Sequence, residues 1–479
     1  MLFNSFTYAI FLPVVFVLYW TVLRKRQNAL LLVASYIFYG AWDWRFLGLL
    51  ILSTTVDFYV GRALATQEDN AARKRLVGLS LLVNLGILGF FKYFNFFAEN
   101  VADVLAAVGL SVSPPLLRIL LPVGISFYTF QAMSYTIDVY RGELRARRSL
   151  LDVAVFISFF PHLVAGPIQR ASFLLPQVEA PRRFSIEKAR SGFLLICWGF
   201  FKKLVIADNV GVVANKVFAL GDPSFPVLWA GVFAFAIQIY ADFSAYTDIA
   251  RGTSRWLGLE LTENFDHPYL ARTPSDFWRR WNISLSSWFR DYVYVPLGGS
   301  RASELAWARN VMVTFLLSGL WHGASWNYVL WGFYHGLLLV LTRAHAIRGP
   351  ASAPGWLPSP ALRSALVVLQ IGGMFVLTNI GWLLFRETSL QAIARDLTLS
   401  PFAASSLDRW AALYLFLLAF VYSIPLWVQS VWVEVVGRDE RPVVGWPRII
   451  FQGVACGLAF AAMLALRSRT SLDFIYFQF

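Results

Sequence analysis

The chain has 479 residues, 58% of them hydrophobic and only 14% charged. A water-soluble protein of this size cannot hide that much apolar surface, so a soluble enzyme is excluded and a polytopic membrane protein is expected. The formal charge is +13, but the basic residues sit in short segments between apolar runs, a pattern of membrane topology and headgroup contact that argues against nucleic acid as a partner.

In chain order, the first apolar window runs from Ser5 to Leu23. Arg24-Lys25-Arg26 follow it rather than precede it, and no small-residue cleavage site is present, so a retained first helix is expected instead of a signal peptide. Further windows long enough to span are Ala29–Trp42, Phe46–Leu64, Leu76–Phe97, Leu116–Tyr140, Ser191–Phe218, Val227–Ile249, Asn327–Leu341, Leu366–Phe385, Ala411–Trp432 and Ile449–Leu466. With weaker or broken segments added, these predict an all-α fold of roughly ten to twelve membrane-embedded helices. No internal repeat and no long polar stretch is present, so residues 1–479 read as a single integral-membrane domain.

Basic clusters at Arg24–Arg26 and at Arg62, Arg73, Lys74 and Arg75 become cytoplasmic if the N-terminus lies outside. The segment Leu151–Gln169 has arginines on both sides and is broken by Pro161, Gly166 and Pro167. This pattern predicts a re-entrant hairpin that carries His162 into the membrane. Loops are expected at Ile347–Pro360 and Gly437–Pro447. Cys197 and Cys456 both fall in apolar runs, so neither a disulfide nor a metal site is expected. Aromatic residues make up 17% of the chain, with 19 tryptophans, enough to supply both interfacial belts and an aromatic-lined funnel.

Four segments carry polar chemistry. Gln238–Asp248 ends an apolar span with two carboxylates, Asp242 among them; these bind a ligand or hold helices together. Pro122–Gln131 is rich in small and hydroxylated residues that permit close helix packing. Pro274–Tyr292 is amphipathic at about 100° per residue. Its apolar stripe holds Trp278, Trp281, Leu285, Trp288, Phe289 and Tyr292, while Arg279, Arg280 and Arg290 lie opposite. It predicts one interfacial helix capped by Ser275, with Asn282 beside the stripe, and serves either as a surface anchor or as a catalytic element. Last, Ser318–Trp326 places His322 inside a long apolar segment, with glycines on both sides loosening the helix. An ionisable group at membrane depth marks a substrate or proton path. His335 follows on the next helix, orienting a neighbour or lying at a helix interface. His267 and His345 are expected in surface loops.

These motifs together resemble the membrane-bound O-acyltransferases. The likeness rests on Trp321-His322-Gly323, Phe333-Tyr334-His335-Gly336, the Phe277–Gly299 block, Phe160-Pro161-His162 with Ala165-Gly166-Pro167, Tyr240–Asp248 and the C-terminal Phe474–Phe479. It covers nearly the whole chain and is nearest to the bacterial branch that acetylates exopolysaccharides such as alginate. The resemblance implies re-entrant segments and interfacial helices around a central tunnel. It implies His322 as the catalytic residue and Asn282 at the second catalytic position, where bacterial relatives usually carry histidine. His335, Trp278, Arg279, Arg280, Trp281, Trp321, Asp242 and His162 support the substrate.

Acyl transfer needs a base for the attacking hydroxyl and donors for the oxyanion. His322 suits the first role and the Asn282 amide the second. Arg279 and Arg280 suit a phosphorylated thioester donor such as acetyl-CoA, used as a substrate and not held as a bound cofactor. The expected setting is the bacterial inner membrane, with membrane lipids around the chain. A periplasmic partner protein passes acetyl groups on to the polysaccharide. Peptidoglycan, cellulose and teichoic acid are alternative acceptors. A proton-coupled transporter is the rival class, although the paired repeats common in transporters are missing.

Overall fold

The computed structural model describes residues 1–348, 360–437, 446–470 and 472–475. The loops expected at Ile347–Pro360 and Gly437–Pro447 lie mainly outside the described residues, as do Tyr476–Phe479 of the C-terminal motif. Among the described residues all regular structure is helical. The helices are α1 (Phe6–Trp20), α2 (Gln27–Asp43), α3 (Leu47–Thr66), α4 (Asn70–Leu88), α5 (Phe94–Ala107), α6 (Ile125–Arg141), α7 (Leu150–Ser158), α8 (Ala171–Glu179), α9 (Ile186–Phe201) and α10 (Asp208–Phe218). There follow α11 (Phe225–Trp256), α12 (Pro274–Arg280), α13 (Ile283–Phe289), α14 (Glu304–His322), α15 (Trp326–Arg348), α16 (Pro360–Arg386), α17 (Leu390–Thr398), α18 (Ser406–Val436) and α19 (Trp446–Leu466).

Six helical stretches among the described residues are long and apolar enough to cross a membrane: Arg24–Thr66, Asn70–Ala107, Phe225–Trp256, Ser364–Arg386, Ser406–Val436 and Ile449–Leu466. Helix α1 is apolar but shorter. The protein is therefore a multi-pass membrane protein. Two expected spans carry a π turn within an otherwise continuous helix: the Leu76–Phe97 window at Gly89–Tyr93, and the Ser191–Phe218 window at Lys202–Ala207. The window at Leu116–Tyr140 starts its helix at Ile125. Pro114, Pro115 and Pro122 withhold backbone donors before it, and Gly124 turns the chain at φ 76°.

The chain divides into two compact units, residues 1–197 with 246–262, and residues 198–245 with 263–479. In the first, side-chain caps start the helices: Ser5 accepts from the Tyr8 amide at α1, and Asp69 accepts from Ala71 and Ala72 at α4. A buried polar knot ties α3, α4 and α6 together. Asp57 accepts from Ser80, from Thr136 Oγ1 at 2.6 Å and from Asn84 Nδ2 at 2.7 Å. With three donors the carboxylate is satisfied without a cation. Between α7 and α8 the chain is non-helical and buried through Phe159–Ile168, where the prolines and Gly166 interrupt it.

In the second unit, α14 and α15 form a tight antiparallel hairpin. A Cβ at Gly319 has no room against the Tyr328 carbonyl, nor one at Gly332 against the Phe315 carbonyl. Gly319 and Gly332 thus serve close helix contact, while Gly323, just after His322, ends α14. At the π turn, Lys203 is buried between Asp208 Oδ1 (2.9 Å) and Asp242 Oδ1 (2.8 Å). Its Nζ also donates to the Leu472 carbonyl at 2.9 Å, and the Ile475 amide donates to Asp242 Oδ2 at 2.5 Å.

Candidate active site

The single amphipathic helix expected over Pro274–Tyr292 is broken in the structure. Thr273, not Ser275, caps α12 by accepting from the Asp276 amide, and Pro274 occupies the first helical turn. The helix stops at Arg280. Trp281 is extended, and Asn282 takes the left-handed conformation at φ 41°, ψ 56° before α13 begins. The segment just upstream imposes this break. The Asp266 amide donates to the Arg280 carbonyl at 2.9 Å, and the Ile283 amide to the Asn264 carbonyl at 3.0 Å. Asn264 Oδ1 then accepts from the Ser284 amide at 3.2 Å. Asparagine tolerates the left-handed region better than most residues.

The kink turns Trp281 and Asn282 inward, to 2% and 1% exposure. Both polar atoms of the Asn282 side chain are buried without a hydrogen-bond partner among the described residues. An unmatched buried amide costs about 1–3 kcal/mol, which marks Asn282 as a candidate for binding a polar group.

His322 lies at the end of α14, not within a continuous span. Gly323 caps the helix in an extended conformation, and α15 starts at Trp326. The imidazole is 6% exposed. It is held edge-on by Trp321 (4.9 Å between centroids), Trp331 (5.0 Å) and Phe385 (5.2 Å). His335, further along α15, is buried against the same Trp331 ring at 4.9 Å and against Trp278 at 5.1 Å. Phe277 lies parallel to it, and a Cβ at Gly381 would come within 2.6 Å of its Nε2. The Trp281 ring reaches Trp382 at 4.8 Å, and Trp382 Nε1 donates to the Tyr269 hydroxyl at 3.1 Å. Trp382 packs on Phe385, which closes the chain of rings back to His322.

The structure therefore gathers His322, His335, Trp278, Trp281 and Trp321 into one aromatic cluster, with Asn282 adjoining Trp281. Trp331, Trp382 and Phe385 were missed by the sequence reading. The signal for Trp331 was present, since it lies one helical turn before His335 on the same face.

A cavity of about 840 Å³ opens beside this cluster. Ile283, next to Asn282, and Ser318, one turn before His322, both line it. So do Trp278 and the cations Arg279, Arg290 and Arg343. Arg290 is paired with Asp291 at 2.8 Å and Arg343 with Glu304 at 3.0 Å. Arg279 Nε donates only to the Ser275 carbonyl, at 3.3 Å, and has no carboxylate partner among the described residues.

Arg280 is placed differently. It binds Asp276 and Glu434, each at 3.1 Å, and fastens α12 to the end of α18. Burial works against its charge, but the hydrogen bonds it donates to Glu434 and Asp276 outweigh burial and hold the guanidinium above its ordinary pKa.

Asp242 is committed to Lys203 and the Ile475 amide, the helix-holding alternative for that segment. His162 belongs to the first unit, with its Nε2 3.0 Å from Gln131 Nε2. His267 is not a surface residue. It is 8% exposed, left-handed at φ 49°, and its Nδ1 is 2.9 Å from Ser430 Oγ. His345 falls within α15 rather than in a loop.

Helices that cross a membrane, a histidine caged by rings and an arginine-lined cavity beside the cluster mark a candidate enzyme site in a multi-pass membrane protein. Comparison with known proteins gives the class its name. The model of the membrane-bound O-acyltransferase family matches residues 140–347. The chain is 36% identical to a Pseudomonas putida protein named probable alginate O-acetylase AlgI, over 98% of each chain. Its Pseudomonas aeruginosa namesake is 40% identical over 81% of this chain and 72% of that protein. A Helicobacter pylori peptidoglycan O-acetyltransferase is 33% identical over 83% of this chain and 79% of its own length. The chain belongs to the membrane-bound O-acyltransferase family and is an O-acyltransferase.

Proposed function

We propose that the protein takes acetyl groups from a cytoplasmic thioester, acetyl-CoA or a similar donor, and passes them across the bacterial inner membrane for O-acetylation of an exopolysaccharide. Alginate is the favoured polymer, because relatives named for alginate O-acetylation match along nearly the whole chain. Residues 1–479 act as one membrane domain with the N-terminus outside, and a periplasmic partner protein delivers the acetyl group to the polymer.

His322 takes the proton from the acceptor hydroxyl as its oxygen attacks the thioester carbonyl. Asn282 Nδ2–H donates to the oxyanion of the tetrahedral intermediate. The intermediate collapses, the carbon–sulfur bond breaks, and the departing thiolate recovers the proton from His322. Trp278, Trp281 and Trp321 exclude water, His335 braces the cluster through Trp331, and Arg279 holds the donor's phosphates. The observation that carries this reading is the placement of Ile283 and Ser318, neighbours of Asn282 and His322, on the wall of one cavity that also holds Arg279.

The test is acetyl transfer or donor hydrolysis by the purified protein in detergent with labelled acetyl-CoA. The wild type turns over and His322→Ala loses about 10²–10⁴-fold. Full activity of that variant would overturn the assignment, and absence of any donor chemistry in the wild type would favour a transporter. The Helicobacter relative's name supports peptidoglycan as the second acceptor. Supplying each polymer with the periplasmic fraction separates the two.

A further inference from the structure

Two basic segments far apart in the sequence meet in the first unit. Arg24 stands just beyond the end of α1, while Arg183 and Phe184 lie between α8 and α9. With Trp20 they line a cleft of about 420 Å³. The aromatic wall is fixed. Trp20 Nε1 donates to the Trp256 carbonyl at 3.0 Å, and Phe184 stands edge-on to Trp20 at 5.5 Å and to Phe16 at 6.0 Å.

The arginines divide into two kinds. Arg182 is structural: it donates to Asn28 and to the Val178 carbonyl, and its guanidinium lies 5.7 Å from the centre of the Tyr19 ring. The guanidinium groups of Arg24 and Arg183 have no carboxylate or hydrogen-bond partner among the described residues, and no acidic side chain lines the cleft. Two unpaired cations facing one cleft repel each other unless an anion lies between them.

We propose that this cleft binds the headgroup phosphate of an anionic phospholipid. A phosphate between Arg24 and Arg183 accepts charge-assisted hydrogen bonds from both. A lipid is favoured over a soluble anion because Phe184, 49% exposed, lines the cleft, and the exposed apolar Val22 (73%) and Ile186 (72%) follow its lining residues Trp20 and Phe184 closely in the chain. Trp20 ends an apolar helix, the position tryptophan takes at a membrane interface.

The test is lipid retention by the full-length protein, read by native mass spectrometry after exchange into detergent containing phosphatidylglycerol or phosphatidylcholine. The wild type keeps phosphatidylglycerol selectively. The double variant Arg24→Gln/Arg183→Gln binds it roughly tenfold or more weakly, and Arg24→Lys/Arg183→Lys restores part of the binding. Equal retention by wild type and the glutamine variant overturns the proposal, as does equal binding of phosphatidylcholine. Glycerol phosphate binding as tightly as the lipid also overturns it, by identifying a soluble phosphate site. If the double variant fails to fold, Phe184→Ser provides the second reading; it must weaken lipid retention without affecting glycerol phosphate.

Discussion

The indole of Trp331 stands edge-on to the imidazole of His322, with centroids 5.0 Å apart and planes at 80°. The same indole also touches His335, so one side chain packs against both histidines. Trp331→Phe keeps an aromatic wall but leaves a gap beside each imidazole. The expected result is a fall in kcat of roughly tenfold or more with little change in donor KM, because misplacement of a reacting group acts on the chemical step. Steady-state kinetics on the folded fraction checks this; an unchanged kcat removes Trp331 from the site.

Asn282 combines a buried amide with a left-handed backbone, and two substitutions separate these features. Asn282→Gly keeps the turn and removes the amide, and Asn282→Ala also strains the backbone by about 1–2 kcal/mol. Both variants should lose about 10²–10³ in kcat if the amide serves the oxyanion. Only the alanine variant should melt earlier. A glycine variant with wild-type kcat would leave the residue a purely conformational role.

Arg279 and Arg280 are neighbours with different partners. Arg279→Gln should raise donor KM about tenfold or more and leave kcat unchanged, since a hydrogen bond to a charged group contributes about 1.5–3 kcal/mol. Arg280→Gln should leave KM unchanged and cost about 1–3 kcal/mol of stability, because it leaves the partly buried carboxylates of Asp276 and Glu434 without their cation. The reverse pattern in donor titrations contradicts the placement of the two side chains.

Asp242 accepts both from Lys203 and from the Ile475 amide, each at buried sites. Asp242→Ala leaves Lys203 with Asp208 alone and the terminal segment without its acceptor. The expected cost is about 3–5 kcal/mol, the usual range for breaking a buried ion pair. Thermal unfolding in detergent should show that loss, while the folded fraction keeps its kcat. A stable variant with reduced kcat would instead make Asp242 part of the substrate site.

The membrane helices were legible in the sequence because hydropathy is a local property, and α2, α3, α11 and α18 lie close to their apolar windows. Of the candidate site, His322 stands out by residue type in apolar surroundings, while Asn282 is pointed to only by the family resemblance. The geometry of the site was not legible. The kink at Trp281–Asn282 depends on backbone bonds from Asn264 and Asp266, which periodicity within Pro274–Tyr292 does not contain. Lys203 was passed over inside an apolar run because its partners Asp242 and Leu472 are remote in sequence. His267 looked like a surface residue for the same reason, its contact being Ser430.

The left-handed turn at Asn282 narrows what evolution can do there. Under the proposed mechanism the residue at the bend also offers its amide to the reaction, so a change tuned for catalysis must also be acceptable to the backbone. Few side chains meet both demands. Variation at this position in descendants of the chain is therefore expected to remain among polar residues that accept the left-handed region, such as asparagine, aspartate and histidine, whichever polymer they modify.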